Sequence, residues 1–510
     1  MPNTPARPSA TFLRLTLWLA LGGALLLFAM GRNTIAAAAW LAPVFLIRYT
    51  RQVGKKPALA LVWLVLAGAF LFQFRGMVPM PLPGVLATAA AGGVGGMLPY
   101  LVDRWAHRRF RNFAATLIFP CVLTVMYFGT VLSPFGSWGV LGYSQYGNLP
   151  VMQLAAVTGI YGISFLVAWL GSWANWAWER GFRWGRIRWG TMAFGSVLAA
   201  VYLGGSARLR WAGSAPTQRV AAIAGNAGWI FLNQSVQDRF WSGQALSPEE
   251  LAPTRAGLAA QTERLLQRSE RAAQAGARLV LWSETVTAVL RADEPAMLAR
   301  AAETARRNQI YLGVAYARFD PGISRLHQNK LVLIGPDGRP LFAYLKSRPV
   351  PGPEKDSTET NGNPMPYADT TLGRIGGFIC FDLDFPSLVR QAGRAHTDVM
   401  IAPSNDWLAI DPWNTELAAF RAVENGCALI RDVSHGRSLV VDAFGRVRGE
   451  TDYFQDARHI LMADVPVRGV TTLYAKIGDL FAWACVLALG LILVAGARQQ
   501  PTPVDPPTRA

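Results

Sequence analysis

The stretch RIGGFICFD, residues 374–382, is the part of this 510-residue chain that decides its fold. Its short apolar run predicts a buried β-strand, and the residues that follow, at about 386–394, predict a helix. Strands that alternate with helices favour an α/β layered domain. The predicted strand places Cys380 near its carboxyl end, where ligands and reactive groups gather in α/β sheets.

The same alternation extends in both directions over residues 206–471. Further helices are predicted at about 249–276, 295–307 and 412–426. Further strands are predicted at RVAAIAG (219–225), ARLVLWSE (277–284), IYLGVAYA (310–317), DVMIAPS (398–404), CALIRDV (427–433) and SLVVDAF (438–444), with a hairpin at KLVLIGPDGRPLFAYLK (330–346) that turns at Asp337-Gly338.

Two more chemically useful side chains, Glu284 and Lys346, also lie at the ends of predicted strands. A thiol is a weak nucleophile until a base takes its proton. A carboxylate suits that task, and an ammonium stabilises the thiolate and then the oxyanion of a tetrahedral intermediate. Taken singly, a cysteine in an apolar strand is usually an inert core residue, and a lone Glu or Lys is usually solvated. As a set, Glu284, Lys346 and Cys380 suit acyl transfer.

The chain as a whole has the composition of a membrane protein. It is 52% hydrophobic and only 16% charged, which is too apolar for an ordinary soluble protein of this length. We expect an α-helical membrane bundle of about eight transmembrane helices: seven within residues 1–205 and one within 472–497. The predicted positions are 12–30, 34–48, 57–75, 84–102, 113–133, 151–178, 190–205 and 474–496.

Loop charges orient these helices. The net charge is +17, and three loops rich in Arg and Lys, near 48–56, 104–111 and 180–188, alternate with the loops 76–83 and 134–150, which have no Arg or Lys. By the positive-inside rule the basic loops face the cytoplasm. Residues 206–471 are then extracytoplasmic, and the Pro-rich tail, 498–510, is predicted to be disordered in the cytoplasm.

Several other classes of protein are disfavoured. No basic stripe or recognition helix suggests nucleic acid. Four cysteines do not form a disulfide framework, although a Cys380–Cys427 disulfide remains an alternative for an extracytoplasmic chain. The histidines show no ligand spacing, so we predict no metal. No phosphate-binding or dinucleotide glycine motif is present, so we predict no cofactor.

Four short motifs occur in a recognisable order: Trp282-Ser283-Glu284, Lys346 with Glu354 eight residues later, Ile379-Cys380-Phe381-Asp382, and Ser404-Asn405-Asp406-Trp407. Together with FRAVENGCALIRDVSHGRSLVVDAFGR (420–446), they resemble the nitrilase superfamily, which has a Glu-Lys-Cys set on an α-β-β-α sandwich. A domain of this kind between seven helices and one helix resembles the apolipoprotein N-acyltransferase family. GYSQYGNLPVMQLAAVTGIYGISFLVAW (142–169) and TLYAKIGD (472–479) are also similar to segments of that family.

The resemblance implies a function and a set of site residues. A phospholipid acyl chain passes through a thioester on Cys380 to the N-terminal amine of a diacylglyceryl-cysteine lipoprotein. Glu284 is then the general base, Lys346 stabilises the oxyanion, and Glu354 supports the site. The protein is then a multi-pass protein of the bacterial inner membrane with its catalytic domain on the periplasmic face, and we expect a monomer. Further supporting residues are Phe381, Asp382, Asn405 and Trp407; candidate lid or substrate residues are Trp138, Trp229 and Trp241.

The sequence also departs from the family pattern. Phe381 and Asp382 stand where the family usually has Tyr and Glu, and Asp is one methylene shorter than Glu. Two alternatives therefore stay open at this point: a membrane-tethered amidase or divergent acyltransferase with another amine acceptor, and a non-catalytic membrane scaffold.

Overall fold

The computed structural model describes most of the chain as two compact units. The described residues are 10–53, 56–77, 80–213, 215–225, 236, 246–320, 327–352, 354–355, 358–360, 362 and 364–499. A helical unit comprises residues 1–132, 139–207 and 479–510, and an α/β unit comprises 133–138 and 208–478. The loop 133–138, between two helices of the first unit, therefore belongs to the second.

The described residues form twelve α-helices of nine residues or more, besides a few one-turn and 3-10 helices. They are α1 (Ala10–Leu27), α2 (Ala36–Gln52), α3 (Lys56–Gln73), α4 (Leu82–His107), α5 (Ile118–Val131), α6 (Ile160–Trp178), α7 (Trp184–Arg210), α8 (Pro248–Gln274), α9 (Glu294–Asn308), α10 (Pro386–Arg394), α11 (Trp413–Asn425) and α12 (Leu480–Ala497).

A helix occupies each of the eight positions predicted for the membrane bundle, α1 to α7 and α12. Within the described residues, four helical segments have both the length and the apolar composition to cross a bilayer: Leu82–His107, Phe113–Val131, Trp184–Arg210 and Leu480–Ala497. Large apolar side chains such as Leu487 and Leu491 on α12 are about two-thirds exposed, which suits contact with lipid. These features make the chain a multi-pass membrane protein.

One predicted membrane helix begins later than expected. The sixth was predicted from residue 151, but α6 begins at Ile160 after two one-turn helices, Leu149–Met152 and Ala155–Thr158. Gly159 separates them with a φ of +64°, a conformation that glycine adopts readily and that a continuous helix excludes.

The α/β unit contains thirteen described strands: β1 (Thr217–Ile223), β2 (Leu279–Trp282), β3 (Thr287–Leu290), β4 (Tyr311–Phe319), β5 (His327–Ile334), β6 (Pro340–Leu345), β7 (Tyr367–Thr370), β8 (Gly373–Gly377), β9 (Val399–Asn405), β10 (Ala428–Ser434), β11 (Arg437–Val441), β12 (Val447–Asp452) and β13 (Ile460–Pro466). One sheet has the order β13-β1-β2-β4-β5-β6, with β3 beside β4, and the other has the order β12-β11-β10-β9-β8-β7. Central neighbours such as β9 and β10 run parallel.

Helices cover both sheets. Leu265 of α8 and Ala301 of α9 share a buried core with Val280, Leu312 and Val332 of the first sheet, while α11 lies against β10 and β11 of the second. Central strands are buried on both faces, which explains their nearly continuous apolar sequences. The α-β-β-α sandwich predicted from the sequence is therefore confirmed.

Two features of the strands differ from the prediction. The strand predicted at 374–382 ends at Gly377, and Cys380 begins a 3-10 helix, Cys380–Asp384. The strands β3, β7, β12 and β13 were not predicted. Of these, β7 and β12 are short or polar and partly exposed, so they lack the apolar pattern that reveals a strand. The predicted hairpin turn is confirmed, with Gly338 at a φ of +82°.

Candidate active site

The fold brings Glu284, Lys346 and Cys380 into one buried cluster. Glu284 follows β2 and Lys346 follows β6 in the first sheet, and Cys380 follows β8 in the second. Lys346 Nζ lies 2.8 Å from Glu284 Oε1, and the Glu284 carboxyl forms a hydrogen bond with Cys380. The exposed fractions are 0% for Lys346, 3% for Glu284 and 7% for Cys380. The three strand ends predicted from the sequence thus converge where the two sheets face each other.

Lys346 bridges two carboxylates. Its Nζ lies 2.8 Å from Glu354 Oε2 as well as 2.8 Å from Glu284 Oε1. The backbone N–H of Val350 donates to Glu354 Oε2 at 2.9 Å, which fixes this carboxylate against the loop that follows Lys346. Glu354 is therefore in the supporting position that the sequence motif predicted, although its role in a reaction stays a prediction.

Asn329 on β5 is a member of this cluster that sequence reasoning missed. Its Nδ2 donates to Glu284 Oε1 at 2.7 Å, and its backbone carbonyl accepts from the Lys346 N–H at 3.0 Å. Asn329 is 1% exposed. No motif marks it, because only the antiparallel pairing of β5 with β6 brings it beside the other residues.

The burial and mutual charges of this cluster set its protonation states. Burial raises the pKa of the Cys380 thiol and Glu284 raises it further, whereas Lys346 lowers it. Burial also raises the pKa of Glu284, against the opposing effect of Lys346. Burial acts to lower the pKa of Lys346, but Glu284 and Glu354 outweigh it and raise that pKa well above its usual value. The resting site therefore holds a neutral thiol beside a potential base and a stable ammonium.

The backbone at Cys380 adopts an uncommon conformation that presents the thiol. Cys380 has a φ of +47°, a strained region for a residue other than glycine, and such strain often occurs at functional sites. The preceding Ile379 is extended with a φ of −128°. The chain thus turns sharply from strand β8 into the 3-10 helix at the predicted nucleophile.

Asp382 holds this turn to the loop that carries Lys346. Its Oδ2 accepts from the Ile379 N–H at 3.0 Å and from the Tyr344 hydroxyl at 2.9 Å. Its Oδ1 accepts from the Arg348 N–H at 2.8 Å. Burial raises the pKa of Asp382 to about 7. The shorter Asp side chain is therefore fully engaged here, between the ends of β6 and β8.

The remaining supporting residues lie around the cluster to different extents. Phe381 packs edge-on against Phe385, with ring centroids 5.3 Å apart. Asn405 Oδ1 lies 3.0 Å from His435 Nδ1. Trp407 is partly buried and follows Asn405 by two residues, after the end of β9. The structure therefore places these residues in the same domain, but their roles stay predictions.

A buried ion pair that sequence reasoning missed lies within electrostatic reach of Cys380. Arg431 on β10 donates to Asp406 Oδ1 at 2.9 Å and Oδ2 at 3.0 Å. The Asp406 charge acts to raise the pKa of Cys380, and Arg431 acts to lower it. Arg431 lies in a core strand sequence, so only the pairing of β9 with β10 reveals its partner.

The three candidate lid residues have different outcomes. Trp229 and Trp241 lie outside the described residues. Trp138 belongs to the α/β unit, where its Nε1 donates to Asn414 Oδ1 at 3.0 Å and its carbonyl accepts from Trp413 Nε1 at 2.9 Å. Trp138 is therefore anchored at the start of α11, and a lid role for it stays a prediction.

The loop that contains Trp138 is also attached to the nucleophile segment. The Ser137 N–H donates to the carbonyl of Asp384 at 2.7 Å. Gly136 has a φ of +63°, and a Cβ at this position would lie 2.7 Å from the same carbonyl oxygen. Loop 133–138 thus contacts the last residue of the 3-10 helix that begins at Cys380.

All four cysteines are free, including Cys380 and Cys427, so the alternative of a disulfide between them is not observed. Among the described residues, no group of three or more His, Cys, Asp or Glu side chains has an arrangement that suits a metal ion.

Comparison with known proteins identifies the family. The model described as apolipoprotein N-acyltransferase N-terminal domain matches residues 22–173, and the carbon-nitrogen hydrolase model matches residues 247–474. The apolipoprotein N-acyltransferase of Geobacter metallireducens is 28% identical over 432 residues, which is 79% of this chain and 78% of that protein. The protein of the same name from Azotobacter vinelandii is 26% identical over 461 residues, with 84% and 83% covered.

A further relative matches a smaller part of the chain. The deaminated glutathione amidase of Synechocystis sp. is 30% identical over 138 residues, which is 23% of this chain and 50% of the amidase. The N-acyltransferases, by contrast, match across both units. Because both family models are matched in their proper order and these relatives extend over most of the chain, the chain belongs to the apolipoprotein N-acyltransferase family.

Proposed function

We propose that this protein transfers an acyl chain from a membrane phospholipid to the α-amino group of a diacylglyceryl-cysteine lipoprotein, through a thioester on Cys380. The observation that carries the proposal is the buried contact of Glu284 with both Lys346 and Cys380, in a chain whose residues 22–173 match the N-terminal domain of the acyltransferase family. We infer the identity of the acyl acceptor from the relatives, which are apolipoprotein N-acyltransferases. The thioester chemistry is supported by the cluster itself.

The first half-reaction acylates the cysteine. As the Cys380 sulfur attacks the ester carbonyl carbon of the phospholipid, Glu284 takes the thiol proton. The Lys346 ammonium stabilises the oxyanion of the tetrahedral intermediate. When the intermediate collapses, the C–O bond breaks and the proton on Glu284 passes to the departing alkoxide. The products are a thioester and a lysophospholipid, with no net change in the charge of the site.

The second half-reaction releases the acyl chain. The neutral amine of the lipoprotein attacks the thioester carbonyl, and Glu284 accepts a proton from the amine nitrogen as the amide forms. Lys346 again stabilises the oxyanion. The C–S bond then breaks, and the thiolate takes the proton from Glu284. Asp382 and Asn329 act as positioning residues in this scheme, because they hold the nucleophile turn and the base.

The orientation of the protein follows from charge. We propose eight crossings, with residues 1–205 and 472–497 in the inner membrane and the tail 498–510 in the cytoplasm. The catalytic domain, 206–471, then faces the periplasm, where phospholipid and diacylated lipoprotein are both anchored in the adjacent leaflet. Such anchoring gives both substrates a high effective concentration at the site. We further propose that the protein acts as a monomer.

A membrane-tethered amidase is not favoured. The amidase relative covers only 23% of this chain, whereas the N-acyltransferase relatives cover 79% and 84%. A domain that hydrolyses small amides has no evident need for the long apolar helices of the first unit.

The proposal is tested by incubating the purified full-length protein with phospholipid and a synthetic diacylated lipopeptide. The expected product is the N-acyl lipopeptide, with one lysophospholipid released per amide formed. Cys380→Ser should abolish product, while Cys427→Ser, which removes another buried thiol of the same domain, should retain activity. Hydrolysis of small amides without any N-acyl lipopeptide would instead indicate an amidase.

A further inference from the structure

The helical unit contains a cavity that plays no part in the proposed acyl transfer. It has a volume of about 670 Å³, within the range of roughly 300–1,000 Å³ that is usual for ligand pockets. Its lining comes from the end of α2, the end of α4 and the segment after it, the end of α6, the loop that follows it and the start of α7. These are the three basic loop regions that the charge rule places at the cytoplasmic face.

The acidic side chains of this cavity already have cationic partners. Arg51 donates to Asp103 through two bonds of 2.8 and 2.7 Å and to Glu179 through one of 3.0 Å. The side chains of Arg51 and Asp103 are only 6% and 2% exposed. His107 also lies 3.6 Å from Glu179. A single buried arginine therefore engages both carboxylates of the cavity lining.

The other arginines of the lining leave a surplus of positive charge. Five arginines and two carboxylates line the cavity, so its net charge is +3 with His107 neutral. Arg180 uses its guanidinium on neutral groups, because it donates to the carbonyl oxygens of Trp176 and Arg111. Arg111 and Arg186 are exposed and form no ion pair within the described ranges of the chain. Their charge is available to an anion from outside.

We propose that this cavity binds the phosphate group of an anionic phospholipid. A guanidinium presents a planar pair of donors that fits phosphate oxygens, and Arg111 and Arg186 flank the same cavity. Trp176 and Phe110 add aromatic surface to the wall, which suits the glycerol and the first carbons of an acyl chain better than a free phosphate ion. Basic pockets between membrane helices at the cytoplasmic side are typical sites for anionic headgroups.

This lipid is distinct from the acyl donor. The cavity lining lies wholly in the helical unit, and it contains none of the residues of the cluster at Cys380. The lipid bound here therefore remains intact, and its expected effect is to hold together α2, α4 and the loop after α6. The proposal goes beyond the acyl transfer reaction and does not depend on it.

The test measures lipid binding to the full-length protein by native mass spectrometry from detergent micelles. The probe is a dialkyl-ether phosphatidylglycerol, which has no ester and so cannot acylate Cys380. Ether phosphatidylcholine and glycerol 3-phosphate serve as comparison ligands. The double variant Arg111→Gln/Arg186→Gln removes two exposed arginines of the lining that form no ion pair among the described residues. The matched control, Arg183→Gln/Arg188→Gln, removes two charges from the basic region 180–188 that contains Arg186, and neither residue lines the cavity.

The expected result is that the wild type binds ether phosphatidylglycerol about tenfold more tightly than ether phosphatidylcholine, because charge-assisted bonds to phosphate are strong. The cavity variant should lose most of this preference and the control should keep it. Equal losses in both double variants would show a diffuse effect of surface charge and overturn the proposal. Displacement of the probe by equimolar glycerol 3-phosphate would overturn the lipid assignment in favour of a soluble phosphate compound.

Discussion

Replacing Glu284 by Gln separates the chemical role of this residue from its structural role. Gln preserves the shape of the side chain and an oxygen that accepts from Lys346 at 2.8 Å and from Asn329 at 2.7 Å in the wild type. It removes the negative charge and the ability to take a proton. Lys346 keeps its other carboxylate partner, Glu354, at 2.8 Å, so the change leaves no buried charge without a partner.

The magnitudes follow from this geometry. The two carboxylates and the single ammonium give the resting cluster a net charge of −1, and the substitution makes it neutral. The free energy of unfolding should therefore change by less than about 1 kcal/mol. Loss of a general base lowers the rate of a proton-coupled step by roughly 10²–10⁴. Because Glu284 raises the pKa of Cys380, its removal lowers that pKa, and the residual rate should rise with pH as the thiolate forms without a base.

The assay is the initial rate of lysophospholipid release at several pH values between 6 and 9, with thermal unfolding of each variant measured in parallel. Glu294→Gln is the matched control, because Glu294 pairs with Lys330 at 2.5 Å in a Glu-Lys pair outside the cluster; its rate should stay within about twofold of wild type. A Glu284→Gln rate within tenfold of wild type would refute the assignment of the base. If Glu284→Gln lowered both the rate and the melting temperature strongly, the loss of rate could not be assigned to the chemical role of Glu284 alone.

Three further substitutions test the surroundings of Cys380. Gly136→Ala should slow acylation about tenfold, because the added Cβ would lie 2.7 Å from the Asp384 carbonyl oxygen and the positive φ of residue 136 disfavours a side chain. In the control Gly139→Ala the nearest atom is 3.8 Å from the added Cβ. Equal acylation rates in the two variants would contradict this prediction. Asp382→Ala should lower the free energy of unfolding by about 3 kcal/mol, since three donors lose their acceptor. Urea unfolding measures this change. A decrease below about 1 kcal/mol would show that these three hydrogen bonds do not hold the turn at Cys380 in place. Burial raises the pKa of Asp384 to about 7. Between about pH 4 and 7 its carboxyl is therefore protonated in the native state and ionised in the unfolded state. The free energy of unfolding consequently falls as the pH rises through that window. Melting temperatures at pH 5 and 8 should therefore differ less in Asp384→Asn than in wild type, and an equal difference would show that Asp384 does not titrate in this way.

Much of the fold was predictable because the central strands are buried on both faces. Strands such as β4, β9 and β10 are buried over nearly their whole length and consist largely of apolar residues. In the amphipathic helices between them, apolar residues recur every three to four positions. The edge strand β12, with the sequence VRGETD, is half exposed and polar. It forms through pairing with β11, and because a local sequence pattern does not indicate such pairing, β12 was not predicted.

The position of Cys380 shows a second limit of sequence reasoning. The apolar residues up to Ile379 suggested that the strand continues through Cys380, but it ends at Gly377. What ends it is the Asp382 carboxylate, which accepts from the Ile379 N–H and from two groups that are distant in sequence. The turn therefore depends on contacts with the loop after β6, which only the folded chain provides.

The main members of the candidate cluster and one neighbour, Glu354, were predictable, but its other supporting residues were not. Glu284, Lys346 and Cys380 each end or follow a strand, and their order along the chain matches family motifs. Asn329 and Arg431 have no such signal, because strand pairing brings them near the cluster. Asp406 lies in one of the motifs, but the motif does not indicate its pairing with Arg431. Sequence patterns therefore predicted which three groups the fold brings together, whereas the residues that surround them required the structure; the roles of all these residues in a reaction stay predictions.

The most direct test of the central claim is mass spectrometry of the full-length protein after incubation with phospholipid in the absence of an acceptor. We expect one added acyl chain on the peptide that contains Cys380. Neutral hydroxylamine should remove it, as it removes a thioester, and addition of diacylated lipopeptide should also remove it. Formation of N-acyl lipopeptide at full rate with no acyl group on Cys380, or with the acyl group on another residue, would contradict the central claim.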